Sequence, residues 1–190
     1  MQLMAVESMG IQSNGDTEYT YDGNGNLISD NEFCYTYNDA NKISIVKTCT
    51  DNKLVSEYIY DSAGQRVIKK TFNNGTFDKL AVDVSDLYDL TVKADGTEES
   101  NIYYRANNEL IAKKDNTGKI TYHHNDHLGS ASMVTDTHGA IVEETRYYPY
   151  GGVREGGSEL TGKYTYTGQE SDNETGLMYF CIPPEADIEN

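Results

Sequence analysis

The sequence predicts an all-β chain: an antiparallel hairpin meander forming a curved strip. Three observations predict it. Turn-forming Asx/Gly clusters recur along the chain, tyrosines pair at i and i+2 ahead of several of them, and no segment carries a capped 3.6-residue apolar period.

The turns come first in the argument. "YDGNGNL" (21–27), "YNDANKI" (37–43), "YDSAGQR" (60–66) and "YRANNEL" (104–110) share a frame. Each begins with Tyr, and its fifth residue is Gly25, Asn41, Gly64 or Asn108. Gly and Asn accept positive φ most readily. Asp or Asn at the head of a turn bonds its own backbone two residues on. "DNTGKI" (115–120) and "DTHGAI" (136–141) are copies without the Tyr, so turns are expected at Gly118 and Gly139 as well.

The strands between these turns follow from a second pattern. Tyr-x-Tyr occurs at Tyr19/Tyr21, Tyr35/Tyr37, Tyr58/Tyr60, Tyr148/Tyr150 and Tyr164/Tyr166. A period of two places both rings on one strand face, where cross-strand packing is their expected role. The return segments "KISIVKT" and "RVIKKTF" alternate apolar residues with Lys or Thr, which implies one wet face. Residues 77–104 are expected to form two strands around Asp95-Gly96. The uneven spacing of the turns suits a spiralling strip of sheet better than a propeller or β-helix.

Composition agrees with a thin structure. The apolar fraction is about 38% when Gly is counted in place of Tyr, against the usual ~45–50%. The 16 Tyr dominate the aromatics, with 4 Phe and no Trp. A net charge of −16 repels phosphate backbones, so nucleic acid is not an expected partner. No apolar run is long enough to span a membrane. "MQLMAVESMGIQSNGD" has no basic start and Glu7 interrupts it, so it does not read as a signal peptide. Cys34, Cys49 and Cys181 form no CxxC pair. Cys34 and Cys49 are either a disulfide or two free thiols.

Two stretches carry chemical groups. In "YHHNDHLGS" (122–130), His123 and His127 are candidate metal ligands, with His124 or Asp126 assisting. On one strand they would stand about 13 Å apart, too far to share an ion. The stretch reads better as a turn: Asn125 or Asp126 bonding backbone amides, Gly129 at a special φ, His127 within the turn and Leu128 anchored inward. "SDNETGL" (171–177) offers Asp172, Asn173 and Glu174 as oxygen ligands, but lacks calcium-loop spacing and is expected to be a solvated turn. No cofactor motif or catalytic triad pattern is present.

These residues resemble the YD repeats of the RHS (rearrangement hot spot) family, shared with Tc-toxin shell components and teneurins. "YTYDGNGNL" and "YIYDSAGQRV" match the Y-D-x-x-G unit through Tyr21, Asp22, Gly25 and Tyr60, Asp61, Gly64. "YHHNDHLGSASMVTDTHGAIVEETRYYPYGG" resembles the repeat-associated core. "YTGQESDNETGLMYF" resembles that core's C-terminal part through Gly168, Glu174, Thr175, Gly176 and Leu177.

The resemblance implies an N-terminal segment (1–18), YD hairpins (19–115), the repeat-associated core (116–181) and a divergent tail (182–190). It implies a hollow β-shell that encapsulates or presents a polymorphic toxin, secreted or at a cell surface within a larger polypeptide. The implied partners are upstream YD repeats and an enclosed or downstream toxin domain. Other readings are a carbohydrate- or protein-binding surface module and a remnant of the family's self-cleaving protease. The D-P-x-G stretch of that protease is absent after Tyr179-Phe180, where the chain reads "CIPPEADIEN", so no enzymatic activity is expected. With about six to eight hairpins and few edge-guarding prolines or lysines, the chain alone is expected to be marginally stable and to associate through its edges.

Overall fold

In the computed structural model, residues 19–107, 109–149, 151–156 and 163–180 are described. Fourteen strands form one antiparallel meander in which each pairs with its sequence neighbours. They are β1 (Thr20–Tyr21), β2 (Leu27–Ser29), β3 (Phe33–Tyr37), β4 (Ile43–Thr48), β5 (Leu54–Tyr60), β6 (Arg66–Asn73) and β7 (Thr76–Ser85). Then follow β8 (Tyr88–Lys93), β9 (Glu98–Ala106), β10 (Glu109–Asp115), β11 (Ile120–Asn125), β12 (Ala131–Thr135), β13 (Ile141–Tyr147) and β14 (Val153–Gly156). A separate hairpin, β15 (Glu170–Asp172) and β16 (Leu177–Tyr179), lies apart from this sheet's hydrogen-bonded order. The helical content of the described residues is one 3-10 turn, Tyr166–Gly168. The sheet runs unbroken across residues 115–116. The segments 1–18 and 182–190 lie outside the described residues.

One turn recurs throughout. The N–H of its first residue donates to the carbonyl four residues on, and the N–H of the fourth donates back to the first. This occurs at Asp22, Asn38, Asp61, Lys93, Asp115, Asp126, Asp136 and Tyr148. The fourth residue has positive φ each time: Gly25, Asn41, Gly64, Gly96, Gly118, Gly129, Gly139 and Gly151. A head aspartate adds a second set of bonds. Asp22 Oδ1 accepts from the amides of Asn24 and Asn26, and Asp115, Asp126 and Asp136 repeat the arrangement. The turns expected at Gly25, Asn41, Gly64, Gly118 and Gly139 are therefore present. Asn108 lies outside the described residues, and its neighbour Asn107 has φ 51°.

The tyrosine pairs stitch consecutive hairpins together. Tyr37 donates its hydroxyl to the Leu27 carbonyl (2.8 Å), Tyr60 to Ile43 (2.7 Å) and Tyr147 to Ala131 (3.0 Å). Each acceptor stands two residues past the positive-φ residue of the preceding Y-side turn. The ring thus reaches the neighbouring strand and satisfies a carbonyl where a bulge has displaced the ladder. The remaining pairs differ from expectation. Tyr150 lies outside the described residues. Tyr164 makes an isolated bridge to Glu170, and Tyr166 enters the 3-10 turn, so these two do not share a strand.

Residues 77–104 form parts of three strands rather than two. Besides the turn at Asp95-Gly96, Asp86-Leu87 breaks the segment between β7 and β8. The apolar alternation continues through both β7 and β8 and conceals that corner. Cys34 in β3 and Cys49, just past β4, are joined as a disulfide with Cα atoms 5.1 Å apart. The described structure therefore favours the bonded alternative.

The core is thin, as composition requires. Leu27, Tyr35, Ile43, Val46, Tyr58 and Leu177 form its buried cluster. Register places Tyr35, Val46, Ser56 and Thr71 on one face, with Tyr58 and Lys69 beside them. Leu177 comes from β16, so this is the face that the terminal hairpin covers.

Candidate functional site

The covered face turns a 14-stranded strip into a built site. Residues 163–180 return across it, and side chains from β5 to β9 receive them. Arg66, first residue of β6, meets Asp172 of β15 at two points: Nη1 to Oδ2 at 2.6 Å and Nη2 to Oδ1 at 3.1 Å. Its Nη2 also lies 2.7 Å from Glu170. The guanidinium lies between two rings, 5.0 Å from the Tyr58 centroid and 4.4 Å from that of Tyr179. Lys69 bridges Asp172 (2.5 Å) and Glu174 (2.9 Å), and Ser56 donates to the same Glu174 oxygen (3.0 Å).

A second cluster adjoins the first. Asp83 of β7 and Asp89 of β8 stand directly opposite each other. Like charges in such positions repel. Lys163 relieves this pair, bonding Asp83 and lying 3.8 Å from both Asp89 and Glu170. Asp89 further accepts from the Tyr103 hydroxyl (2.6 Å) and Asn101 (2.9 Å). The Tyr103 ring packs edge-on against Tyr164.

Burial makes these contacts consequential. The Arg66 side chain is 2% exposed and that of Asp172 4%. Burial alone would raise the Asp172 carboxyl, but Arg66 and Lys69 override it and hold it below the ordinary range. Burial would lower Lys69, yet Asp172 and Glu174 hold it above the usual lysine value. Glu170 goes the other way: burial raises it despite Arg66 and Lys163. Three cations thus meet five carboxylates across the contact between the returning segment and the strip.

Further contacts lock the rest of the segment. The Tyr179 hydroxyl accepts the Arg66 N–H (2.9 Å). Ser130, fully buried, accepts the Thr167 N–H (3.0 Å), and the Ala131 N–H donates to Thr165 O (3.1 Å). Tyr166 donates to the Pro149 carbonyl (2.6 Å). Thr167 is held at φ 51°, a left-handed conformation costly for a β-branched residue. Gly168 beside it has φ 70°.

The residues singled out from sequence divide among these places. Asp22, Asp61 and Asp126 head turns; Gly25, Gly64 and Gly129 are their positive-φ residues; Tyr21 is exposed on β1 and Tyr60 donates its hydroxyl to the Ile43 carbonyl. Glu174, Thr175, Gly176 and Leu177 form the β15–β16 turn and its core anchor. Two expectations are corrected. "SDNETGL" is not a solvated turn, since Asp172 is 3% exposed and its oxygens are bonded to Arg66 and Lys69. Leu128 is not anchored inward: it sits at the turn apex and is 52% exposed, and Ser130 is the residue that turns inside.

The histidines are separated by the same turn. His123 is half-buried on β11, where burial, then Lys113 and His124, push it down to about 4. His127 is exposed beyond the strand end, and His124 bonds Thr135 Oγ1 (3.0 Å). Among the described residues no three His, Cys, Asp or Glu side chains form a metal-holding group.

Comparison with known proteins gives a consistent result. The Teneurin YD-shell family model matches residues 5–181. The Bacillus subtilis (strain 168) tRNA nuclease WapA is 32% identical over 171 residues, covering 86% of this chain and 7% of that protein. The Bacillus spizizenii tRNA3(Ser)-specific nuclease WapA is 30% identical over 170 residues, with the same coverage. Mus musculus Teneurin-1 is 25% identical over 141 residues, covering 73% of this chain and 5% of its own length. The chain therefore spans a small fraction of these relatives. Among solved structures, the Photorhabdus luminescens Tc holotoxin pore superposes with a TM-score of 0.70 at 19% identity, over 84% of this chain and 8% of that one. A TcdB2–TccC3 crystal structure without its hypervariable C-terminal region superposes at 0.65 and 20% identity, over 80% of this chain and 8% of that one.

Proposed function

The chain belongs to the Teneurin YD-shell family, and from that premise we propose that it is a wall segment helping to enclose or present a toxin polypeptide. The observation that carries this reading is the seating of residues 163–180 across the strip. Buried ion pairs consume the available charges in holding one piece of chain against another. The names of the relatives support a toxin setting. WapA proteins are nucleases, and the solved neighbours are Tc toxin assemblies. The nuclease activity is a property of those far longer proteins and is not transferred to this segment.

The segment's own role is structural and non-enzymatic, secreted or surface-exposed with the polypeptide that carries it. The engagement of Glu170 and Asp172 in buried ion pairs with Arg66 supports this reading. Incubating the chain across a pH range, with and without divalent metals, should leave the peptide bonds near residue 180 intact. Specific cleavage abolished by an aspartate substitution would overturn the assignment.

Enclosure has its own test. The chain is produced with the sequence flanking it in its reading frame and challenged with protease under native conditions. A polypeptide within the shell should resist digestion, and Arg66→Glu should expose it. Equal digestion of native and denatured protein would reject enclosure.

A further inference from the structure

A cavity of ≈160 Å³ lies where the returning segment crosses β9 to β12, apart from the ion-pair seat. Arg105, Glu109, Leu110, Asn125, Tyr164 and Gln169 line it. The amide nitrogen of Asn125 donates to the Leu110 carbonyl (3.3 Å), and that of Gln169 to the Thr167 carbonyl (3.3 Å). Both amides are thereby oriented, and no hydrogen bond among the described residues engages Asn125 Oδ1 or Gln169 Oε1, which are left as acceptors. The Arg105 guanidinium lies 4.7 Å from the Tyr164 ring centroid and donates Nε to Asp86 O (3.3 Å), so it is held in place at the cavity wall. Leu110 and Tyr164 supply apolar walls. The strained Thr167 and the side-chain-free Gly129 and Gly168 complete the lining, and strain of this kind gathers at ligand clamps.

We propose that this cavity is a binding site for a primary carboxamide, the side-chain group of asparagine or glutamine. A carboxamide has two N–H donors for the two oriented oxygens and one carbonyl for the Arg105 guanidinium. It is planar and uncharged, which suits a lining whose one cation and one carboxylate balance. The volume holds a group of this size. In a wall that encloses a polypeptide, the ligand is an amide side chain of that polypeptide. This attribution rests on the proposed function, whereas the site itself does not.

The test uses the full chain and two probes, acetamide and acetate, followed by nitrogen–proton correlation spectra. Acetamide has about four heavy atoms, so affinity in the millimolar range or weaker is expected. Saturable shifts should appear at the Gly129, Ala131, Thr167 and Gly168 amides with acetamide and not with acetate, which lacks donors. Nα-acetylglutaminamide should reproduce them. Gln169→Met removes one acceptor at nearly constant shape and should weaken the acetamide shifts at least several-fold. Ala131→Leu fills the space and should abolish them while distant resonances stay unchanged. Absence of saturable shifts, or equal shifts with acetate or in both variants, would overturn the site. Loss of protease protection in the enclosure experiment would leave these outcomes unaffected.

Discussion

Arg66 and Asp172 are 106 residues apart in sequence and meet in a two-point ion pair that is almost wholly excluded from solvent. Truncating one partner leaves a buried charge without compensation, which costs about 3–5 kcal/mol. Asp172→Ala leaves Arg66 to Glu170 and Lys69 to Glu174, so its cost by chemical denaturation is expected toward the lower end of this range. Replacing the pair together, as Arg66→Met with Asp172→Leu, should cost clearly less than the two single changes added. A loss under about 1 kcal/mol for Asp172→Ala would mean the hairpin is not held here.

The same pair sets the acid response. The folded Asp172 carboxyl lies below the ordinary aspartate value of about 3.9, so its contribution is present above that pH and disappears as pH falls through the lower folded value. Glu170 has the opposite sign. Raised by burial, it favours folding below its unfolded value and loses that contribution as pH rises through its folded one. Wild type should therefore lose stability below about pH 4. Asp172→Asn should start less stable and show a flatter acid limb. Glu170→Gln should remove the opposing trend at higher pH. Denaturant midpoints measured between about pH 2 and pH 7, roughly the titration range of carboxylates, separate these cases.

The legible part of this molecule is its local part. A turn states its identity within five residues, so Asp22 to Asn26 and Asp136 to Ala140 could be read directly, and so could the face shared by Tyr35 and Tyr37. The seat was not legible, because Arg66 and Lys69 look like ordinary strand cations until a hairpin about a hundred residues away covers them, and Lys163 looks like a loop cation until it meets Asp83 and Asp89. That is why Asp172 read as a solvated turn residue. Its neighbours in sequence are polar, and its partners lie in β6. Leu128 misled in the other direction: apolar character suggested an anchor, but the turn geometry assigns that place to Ser130.

Two hydroxyl deletions on the same face should behave differently. Tyr60→Phe removes a donor to the Ile43 carbonyl, expected to cost about 0.5–1.5 kcal/mol. Thr145 is 2% exposed and its hydroxyl has no hydrogen-bond partner among the described residues. Thr145→Val should be neutral or stabilising, since it removes a buried polar group whose bond is unmade. Comparable losses for both would show that tyrosine hydroxyls do not stitch the hairpins.

Cys34 and Cys49 should resist alkylation in the unreduced protein made under oxidising conditions, and intact mass should report the bond. The loop they close spans a separation of 15 residues. Closing such a loop stabilises by roughly 3 kcal/mol through the unfolded chain. The Cys34→Ser, Cys49→Ser double variant should unfold at correspondingly lower denaturant. Full alkylation of both without reductant would remove the disulfide from the account.

Gly25 and Gly151 occupy the same place in two copies of the turn, at φ 81° and 89°. An alanine at either takes a left-handed conformation that costs about 1–2 kcal/mol. Their surroundings differ. A Cβ on Gly25 would meet nothing within 4 Å, whereas one on Gly151 would stand 2.8 Å from Tyr166 Cδ1. That ring cannot easily retreat, because its hydroxyl is bonded to the Pro149 carbonyl. Overpacking of this kind adds about 1–3 kcal/mol. Gly151→Ala should therefore be the more damaging substitution, and its excess over Gly25→Ala should shrink when Tyr166 is also changed to Leu. An unchanged excess in the Tyr166→Leu background would show that the returning segment does not press on this turn.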